Sequence, residues 1–277
     1  MSDNNEQTQI LTDENSLCKI PNFHTHTKLC RHAEGMPSDY VKAAKEQGAS
    51  MLGMSDHCPY PESMGYNWDN VRMKVSEIET YIQAVNQAKK EAPFNVYLGF
   101  ECEYDKNFAF WYKELKEKYG ADYLVLGPHW CVDGTERIYI PEIKHDLRLL
   151  HKYADQTVEA IGSGLYDFVA HPDLFMMGWH DWDKETESVL KAILDAAVDK
   201  GIPLEINGLG IKRGIVDANV GPRYGYPYHE FWEMVAETDA KVICNSDAHN
   251  PEDVIVCARN SRKFASHFGF KVIDTVF

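Results

Sequence analysis

Ile20-Pro21-Asn22-Phe23-His24-Thr25-His26 is a short apolar run that ends in two histidines one residue apart. In an extended chain residues i and i+2 point the same way, so His24 and His26 can present two imidazoles to one cation. The pattern recurs along the chain. Ser50–Met54 leads to Asp56-His57, Asn95–Phe100 to Glu101-Cys102-Glu103, and Asp122–Leu126 to Gly127-Pro128-His129. Tyr166–Ala170 leads to His171-Pro172-Asp173, Pro203–Ile206 carries Glu205 and is followed by Asn207-Gly208, and Ala240–Cys244 leads to Asp247-Ala248-His249. His32 follows the first run. Each β-prone run therefore has a candidate ligand or acid/base group at or just past its C-terminal end. A single such histidine is most often a surface or packing residue, but repetition at one position in every unit is not explained that way.

Helical patterns separate the runs. Val71, Val75, Ile78, Ile82 and Val85 fall on one helix face, as do Val189, Ile193 and Ala196. Ser38 reads as an N-cap before Asp39–Gln47, with Gly48 as the stop. Gly120 and Gly201 read as stops likewise. Repeated strand-then-helix units imply a parallel α/β fold, a closed or nearly closed barrel first and an open doubly wound sheet as the alternative. Lys271–Val276 is a candidate terminal strand. In such folds the strand C-termini converge on one face, where sites are built. His145, His151, His229 and His267 fall on or beside helical patterns and His180 in a Trp-rich loop, so these five are set aside.

The chain has 277 residues, with 28 Lys+Arg against 43 Asp+Glu, a formal net charge of −15. That balance speaks against capture of long nucleic acid, which relies on cationic side chains neutralising phosphates. It leaves room for a small phosphorylated ligand at a metal-bearing site. No apolar run is long enough to span a bilayer. Met1–Ser16 is polar and acidic and lacks the features of a secretory signal. The expectation is a disordered leader over 1–18 and one barrel domain over 19–277. The seven cysteines, Cys18, Cys30, Cys58, Cys102, Cys131, Cys244 and Cys257, show no CxxC or paired spacing, which fits reduced thiols in the cytoplasm. The oligomeric state is not legible.

Imidazole mixed with carboxylate suits zinc, iron or manganese. The candidates outnumber the ligands of one tetrahedral ion, so a multinuclear centre follows, with Glu101 or Asp247 as a bridging carboxylate. Ser55 and Ser246 lie beside Asp–His pairs, but no GxSxG elbow occurs. Cys30 and Cys131 stay open as candidate nucleophiles.

The ordered set HTHTKLCRH, SDH, GFECEY, GPHW, AHPDLF, EINGLG and NSDAH, from about Asn22 to about Asn250, resembles the polymerase-and-histidinol-phosphatase (PHP) superfamily, in its histidinol-phosphate phosphatase branch. The resemblance implies a distorted (β/α)7 TIM-like barrel with a trinuclear centre of divalent zinc, manganese or iron, mixed or not. It implies one metal on His24, His26, Glu101 and Asp247. A second would share Glu101 and add His129 and His171, and a third would take His32, His57 and His249. Two departures stand out: Gly127-Pro128-His129 where the family often has Ser-Val-His, and Gly210-Ile211-Lys212-Arg213 where it often has a Gly-Leu-Arg-Lys-like stretch.

The activity implied is hydrolysis of L-histidinol phosphate to L-histidinol and phosphate, in histidine biosynthesis, by a metal-bridging hydroxide attacking in line. Arg213, with Lys212 or Arg223, is the expected phosphate clamp. Asp247 or His249 would place a proton donor near the leaving group. Glu103, Tyr104, Trp130 and Glu205 are candidates to line the site for the substrate's ammonium and imidazole, and the glycine-rich stretch Gly208–Gly225 is expected to close over it. Asp56 and Asp173 are expected to support ligands rather than bind metal. Alternatives are a PHP phosphoesterase for nucleotides, sugar phosphates or phosphotyrosine, and a non-catalytic metal-binding module. Amidohydrolases also open with HxH on a barrel, but His32, His57 and His249 exceed their usual ligand set.

Overall fold

Tyr123-Leu124-Val125-Leu126 shows how this chain builds two cores from one strand. Tyr123 and Val125 point into one apolar cluster with Phe23, Phe168, Ala170 and Ile243. Leu124 and Leu126, between and beyond them, join a second and much larger cluster with the helices. Period-two alternation with both faces apolar is the signature of a strand covered on both sides.

The computed structural model describes residues 19–65 and 70–277, so the leader expected over 1–18 lies outside the described residues. The elements run β1 (Ile20–Asn22), α1 (Pro37–Gln47), β2 (Ala49–Met54), α2 (Ile78–Glu91), β3 (Asn95–Cys102), α3 (Ala109–Glu117) and β4 (Tyr123–Leu126). A hairpin of β5 (Trp130–Asp133) and β6 (Glu136–Tyr139) precedes α4 (Leu147–Gly162), β7 (Phe168–Val169), α5 (Met176–Trp179) and α6 (Lys184–Lys200). Then come β8 (Leu204–Asn207), α7 (Gly208–Arg213), the hairpin β9 (Ile215–Val216) and β10 (Arg223–Tyr224), α8 (His229–Ala236), β11 (Val242–Asn245), α9 (Val256–Ala265) and β12 (Val272–Ile273).

The main sheet is parallel throughout, in the order β1-β2-β3-β4-β7-β8-β11-β12. It closes on itself as a distorted barrel. β12 pairs with the first half of β11. Beyond that pairing, two buried amides join β11 to β1: the Phe23 N–H donates to Asn245 Oδ1 and the Ser246 N–H to Asn22 Oδ1, each at 2.8 Å. The seam continues as a parallel bridge between Thr25 and Ala248. The barrel interior is filled by rings, with Tyr123 edge-on to Phe23 at 5.7 Å and stacked on Phe168 at 6.3 Å. Gly53 and Gly99 leave the space that Tyr123 fills: a Cβ on Gly53 would lie 2.2 Å from its hydroxyl.

The expected strands and barrel are present, with β12 added at the candidate terminal run. Some local expectations need correction. α1 begins at Pro37, not after Ser38; the Asp39 carboxylate accepts the Met36 N–H at 2.8 Å, and proline occupies the first turn, where no N–H is needed. Gly48 and Gly201 do end their helices in left-handed conformations, at φ 85 and 63. Val71 and Val75 precede α2, because a 3-10 turn at Val75–Glu77 intervenes. His145 is not helical but left-handed at φ 62, and α4 starts after Asp146, whose carboxylate caps Leu149. The glycine-rich stretch 208–225 is more ordered than a loop: Asn207 caps α7, and β9 and β10 follow.

Candidate metal centre

His24 leaves the end of β1 with its Nδ1 2.8 Å from Glu205 Oε1. That contact turns the opposite nitrogen, Nε2, inward. The same device recurs. His129 Nδ1 meets Glu103 Oε1 at 2.8 Å, His32 Nδ1 the Cys30 carbonyl at 2.8 Å, and His249 Nδ1 the Asp247 carbonyl at 3.0 Å. Each acceptor fixes a tautomer and frees the other nitrogen for a ligand.

Glu101 lies at the middle of what these rings face. Its Oε1 is 3.1 Å from His171 Nε2 and 3.4 Å from both His24 Nε2 and His129 Nε2, while Oε2 is 3.0 Å from His57 Nδ1. Asp247 Oδ1 lies 3.0 Å from His26 Nε2 and 3.5 Å from His24 Nε2. Donor atoms gather within 4.8 Å of one another in overlapping groups: His24–His26–Asp247, His24–Glu101–His171, His26–His57–Glu101 and His32–His57–His249. All nine residues singled out as ligands therefore meet at one end of the barrel. His171 and Asp247 hold left-handed backbones, at φ 27 and 53, conformations uncommon for residues other than glycine, asparagine, aspartate and histidine. Arg31, also left-handed at φ 74, ends the short turn Lys28–Cys30 and brings His32 back to the cluster.

Gly127, where the family pattern often has serine, stands directly against Glu101. A Cβ there would stand 2.5 Å from Glu101 Oε1, so the carboxylate occupies the place of a side chain. Asp56 supports the cluster as expected: it accepts from the Thr27 N–H and hydroxyl and from the His57 N–H. Asp173 accepts from the Tyr228 N–H and Trp232 Nε1.

The charges interlock. Burial pushes the Glu101 carboxyl up, but His129, His24 and His57 outweigh it and hold it well below the usual carboxylate range. Burial likewise acts against Asp247, which His24, His26 and His249 hold well below its ordinary value. Burial would lower His24, yet Glu205, Asp247 and Glu101 keep it well above the ordinary imidazole value. His26 is raised to about 9 against burial, by Asp247, Asp56 and Glu101. Burial and the charge of His26 lower His57 and His32 and push His249 down to about 3.

Buried polar atoms rarely go unpaired. Here His24 Nε2, both ring nitrogens of His26, His171 Nδ1 and Glu101 Oε2 are buried with no partner in hydrogen-bond geometry, although ionisable neighbours stand 3.0–3.7 Å from those of His24, His26 and Glu101. All four residues belong to the close-packed groups around Glu101 and Asp247. A donor set of imidazoles and carboxylates with inward orphan atoms fits borderline divalent cations such as zinc.

Six of the nine, His32, His57, His129, His171, Asp247 and His249, line a cavity of about 480 Å³, within the usual range for small-molecule sites. Trp130 and Tyr139 from the β5–β6 hairpin, Tyr226, Leu174 and Leu209 wall it, together with Arg72 and Arg213. Of the cations singled out for phosphate, Arg213 lines this cavity. Lys212 pairs with Asp253 at 2.5 Å and Arg223 with Glu230 at 2.8 Å, and neither lines it. Glu103 lines it with its carboxylate on His129. Glu205 is fully buried beneath it, holding His24, the His171 N–H, Asn207 and Asn245. Tyr104 lies off it. Cys131 is followed six residues later by Arg137, a thiol-phosphatase spacing, but the two stand on opposite strands of the β5–β6 hairpin. Burial also raises the Cys131 thiol to about 11. Arg72, Tyr139, Tyr226 and Asn207, which donates to Asp247 Oδ2 at 3.1 Å, carry no local sequence signal of a role.

Fold and site together define a parallel α/β barrel with a cluster of metal-ligand side chains at the C-terminal ends of its strands. The PHP domain model matches residues 22–208. The chain belongs to the PHP family. It is 30% identical over 238 residues to a protein of Deinococcus radiodurans named "probable histidinol-phosphatase", covering 83% of this chain and 86% of that one. It is 23% identical over 260 residues to a Schizosaccharomyces pombe protein of the same name, covering 83% and 81%. By these likenesses it is a histidinol-phosphatase-like member of the family, in the class of phosphoric monoester hydrolases. A crystal structure of Lactococcus lactis histidinol phosphate phosphatase, complexed with zinc, L-histidinol and phosphate, superposes with a TM-score of 0.70 at 17% identity, over 92% of this chain and 95% of that one. That likeness is one of fold. Among the described residues no helix is long and apolar enough to cross a membrane.

Proposed function

We propose that this protein hydrolyses L-histidinol phosphate to L-histidinol and inorganic phosphate, at a centre of three divalent ions. The observation that carries the proposal is the set of buried donor atoms on His24, His26 and Glu101, within ion-pair distance of Asp247, His57, His129 and His171, which line a cavity together with Arg213. His24, His26, Glu101 and Asp247 would hold one ion, Glu101, His129 and His171 a second, and His32, His57 and His249 the third. Bound there, the ions would supply an acidified water for in-line attack at phosphorus and positive charge for the phosphoryl oxygens.

The chain's own residues do the rest. Arg213, at the mouth, offers a guanidinium fork to the non-bridging oxygens. Glu205 and Glu103 hold His24 and His129 in the tautomer that leaves Nε2 free. Asp247 or His249, which line the cavity, would pass to the leaving alkoxide the proton that the attacking water gives up. The aromatic wall excludes water around the substrate's organic end. The names of the relatives favour the imidazole-bearing substrate over other small phosphate esters.

Phosphate release from histidinol phosphate, glycerol 3-phosphate, a nucleoside monophosphate and phosphotyrosine tests the proposal, before and after chelation and after restoring zinc, manganese or iron. Preference for histidinol phosphate with loss on chelation supports it. Comparable rates on all four would replace it with a broad phosphoesterase.

A further inference from the structure

Arg72 is nearly fully buried, at 4% exposure. Burying a guanidinium is unfavourable unless partners compensate it. Among the contacts that hold this one, Nη1 donates to the Cys58 carbonyl at 3.0 Å, the guanidinium carbon lies over the Tyr60 ring at 5.0 Å, and Nη2 is 3.8 Å from Glu103 Oε1. Glu103 is itself buried, and its carboxylate accepts both the His129 N–H and His129 Nδ1. Its backbone is pinned by hydroxyls: its N–H donates to Tyr60 Oη at 2.8 Å, and Tyr112 Oη donates to its carbonyl at 2.7 Å. With the backbone fixed, the side-chain torsions alone decide where the carboxylate, and hence His129, points. Arg72 is the cation beside that carboxylate, and it lines the same cavity.

We propose that Arg72 is a positioning residue that holds the Glu103 carboxylate against His129 and so aims His129 Nε2 at Glu101. A flat fork is needed, because one group must meet a carbonyl, a ring face and a carboxylate at once; an ammonium cannot do all three. The proposal deepens the metal-centre reading and rests on it.

The test is zinc affinity by chelator competition, on folded protein well below its unfolding temperature, for wild type, Arg72→Gln, Arg72→Lys, Glu103→Gln and the double variant Arg72→Gln/Glu103→Gln. Loss of a group that orients a ligand typically costs 10–100-fold in affinity. Arg72→Gln should weaken one zinc-binding step about tenfold. Arg72→Lys, which keeps the charge but loses the planar fork, should weaken it by less than Arg72→Gln does. The double variant should be no weaker than Glu103→Gln alone, because Arg72 acts through Glu103. A merely structural arginine would lower thermal stability and leave zinc affinity within twofold of wild type, which overturns the proposal alone. Additive losses in the double variant overturn it too. A wild type that binds no zinc overturns both this proposal and the reading beneath it.

Discussion

Gly127 and Glu101 form one unit at the residue scale, the first bare so that the second can stand at the middle of the cluster. With a Cβ at Gly127 only 2.5 Å from Oε1, Gly127→Ala should displace the carboxylate. It should cost about 1–3 kcal/mol in the metal-free protein, as overpacking does, read by urea unfolding, and weaken metal binding as well. A variant as stable and as metal-avid as wild type would refute that contact. Protonation yields a second expectation. His24 is held well above the ordinary imidazole value and His26 at about 9, so in the metal-free protein both carry a proton at neutral pH. A raised imidazole pKa stabilises the fold fully below 6.5, and the effect fades as pH rises through 9. A cation must displace these protons. Metal binding at pH 7 should therefore release protons, and affinity should rise between pH 6 and pH 9. Calorimetry in two buffers of different ionisation enthalpy measures this; heats that do not depend on the buffer would contradict it. The ligands themselves are legible from the chain because strand ends converge. The strand ends mark Glu103 and Glu205 but not what they hold, because those contacts, such as His24 with Glu205, join residues far apart in sequence; Arg72 has no such local mark at all.

Among the elements, β2, β3 and β4 make the barrel interior a fitted set. Gly53 and Gly99 lie against the Tyr123 ring, whose hydroxyl donates to the Phe23 carbonyl at 2.7 Å. Gly53→Ala should destabilise by at least about 2 kcal/mol, since the new methyl meets that hydroxyl and has backbone behind it. Tyr123→Phe should cost about 1–3 kcal/mol through the unpaired carbonyl. The two losses should be less than additive, by 0.5 kcal/mol or more on the order expected for contacting residues, because removing the hydroxyl relieves the clash. Chemical denaturation of the four proteins reads the cycle, and strict additivity would show that the two residues do not meet. At this scale the strands are legible because alternation or an unbroken apolar run is local. Helix starts are less so: α1 begins one residue before Ser38 because Pro37 suits a first turn, and α2 begins after Val75 because Glu77 accepts the Lys74 N–H and closes a separate turn. The β5–β6 hairpin has half-buried faces and no strong alternation, yet it brings Trp130 and Tyr139 to the cavity.

For the molecule as a whole, the barrel brings seven imidazoles and two carboxylates to one end of an acidic protein. Such a cluster is an unfavourable concentration of buried polar groups unless cations bind it. Ligand that binds only the folded state adds about 4 kcal/mol when present at 1,000 times its dissociation constant. Chelation should therefore lower the unfolding temperature by several degrees and abolish phosphate release, and divalent metal should restore both; a protein equally stable with and without chelator would count against a folded-state metal centre. The most direct measurement is an anomalous difference map at the zinc edge from crystals grown with zinc. The account predicts three peaks at the C-terminal rim of the barrel: one among His24, His26, Glu101 and Asp247, one among Glu101, His129 and His171, and one among His32, His57 and His249. Density confined to surface sites, with that rim empty, would contradict it.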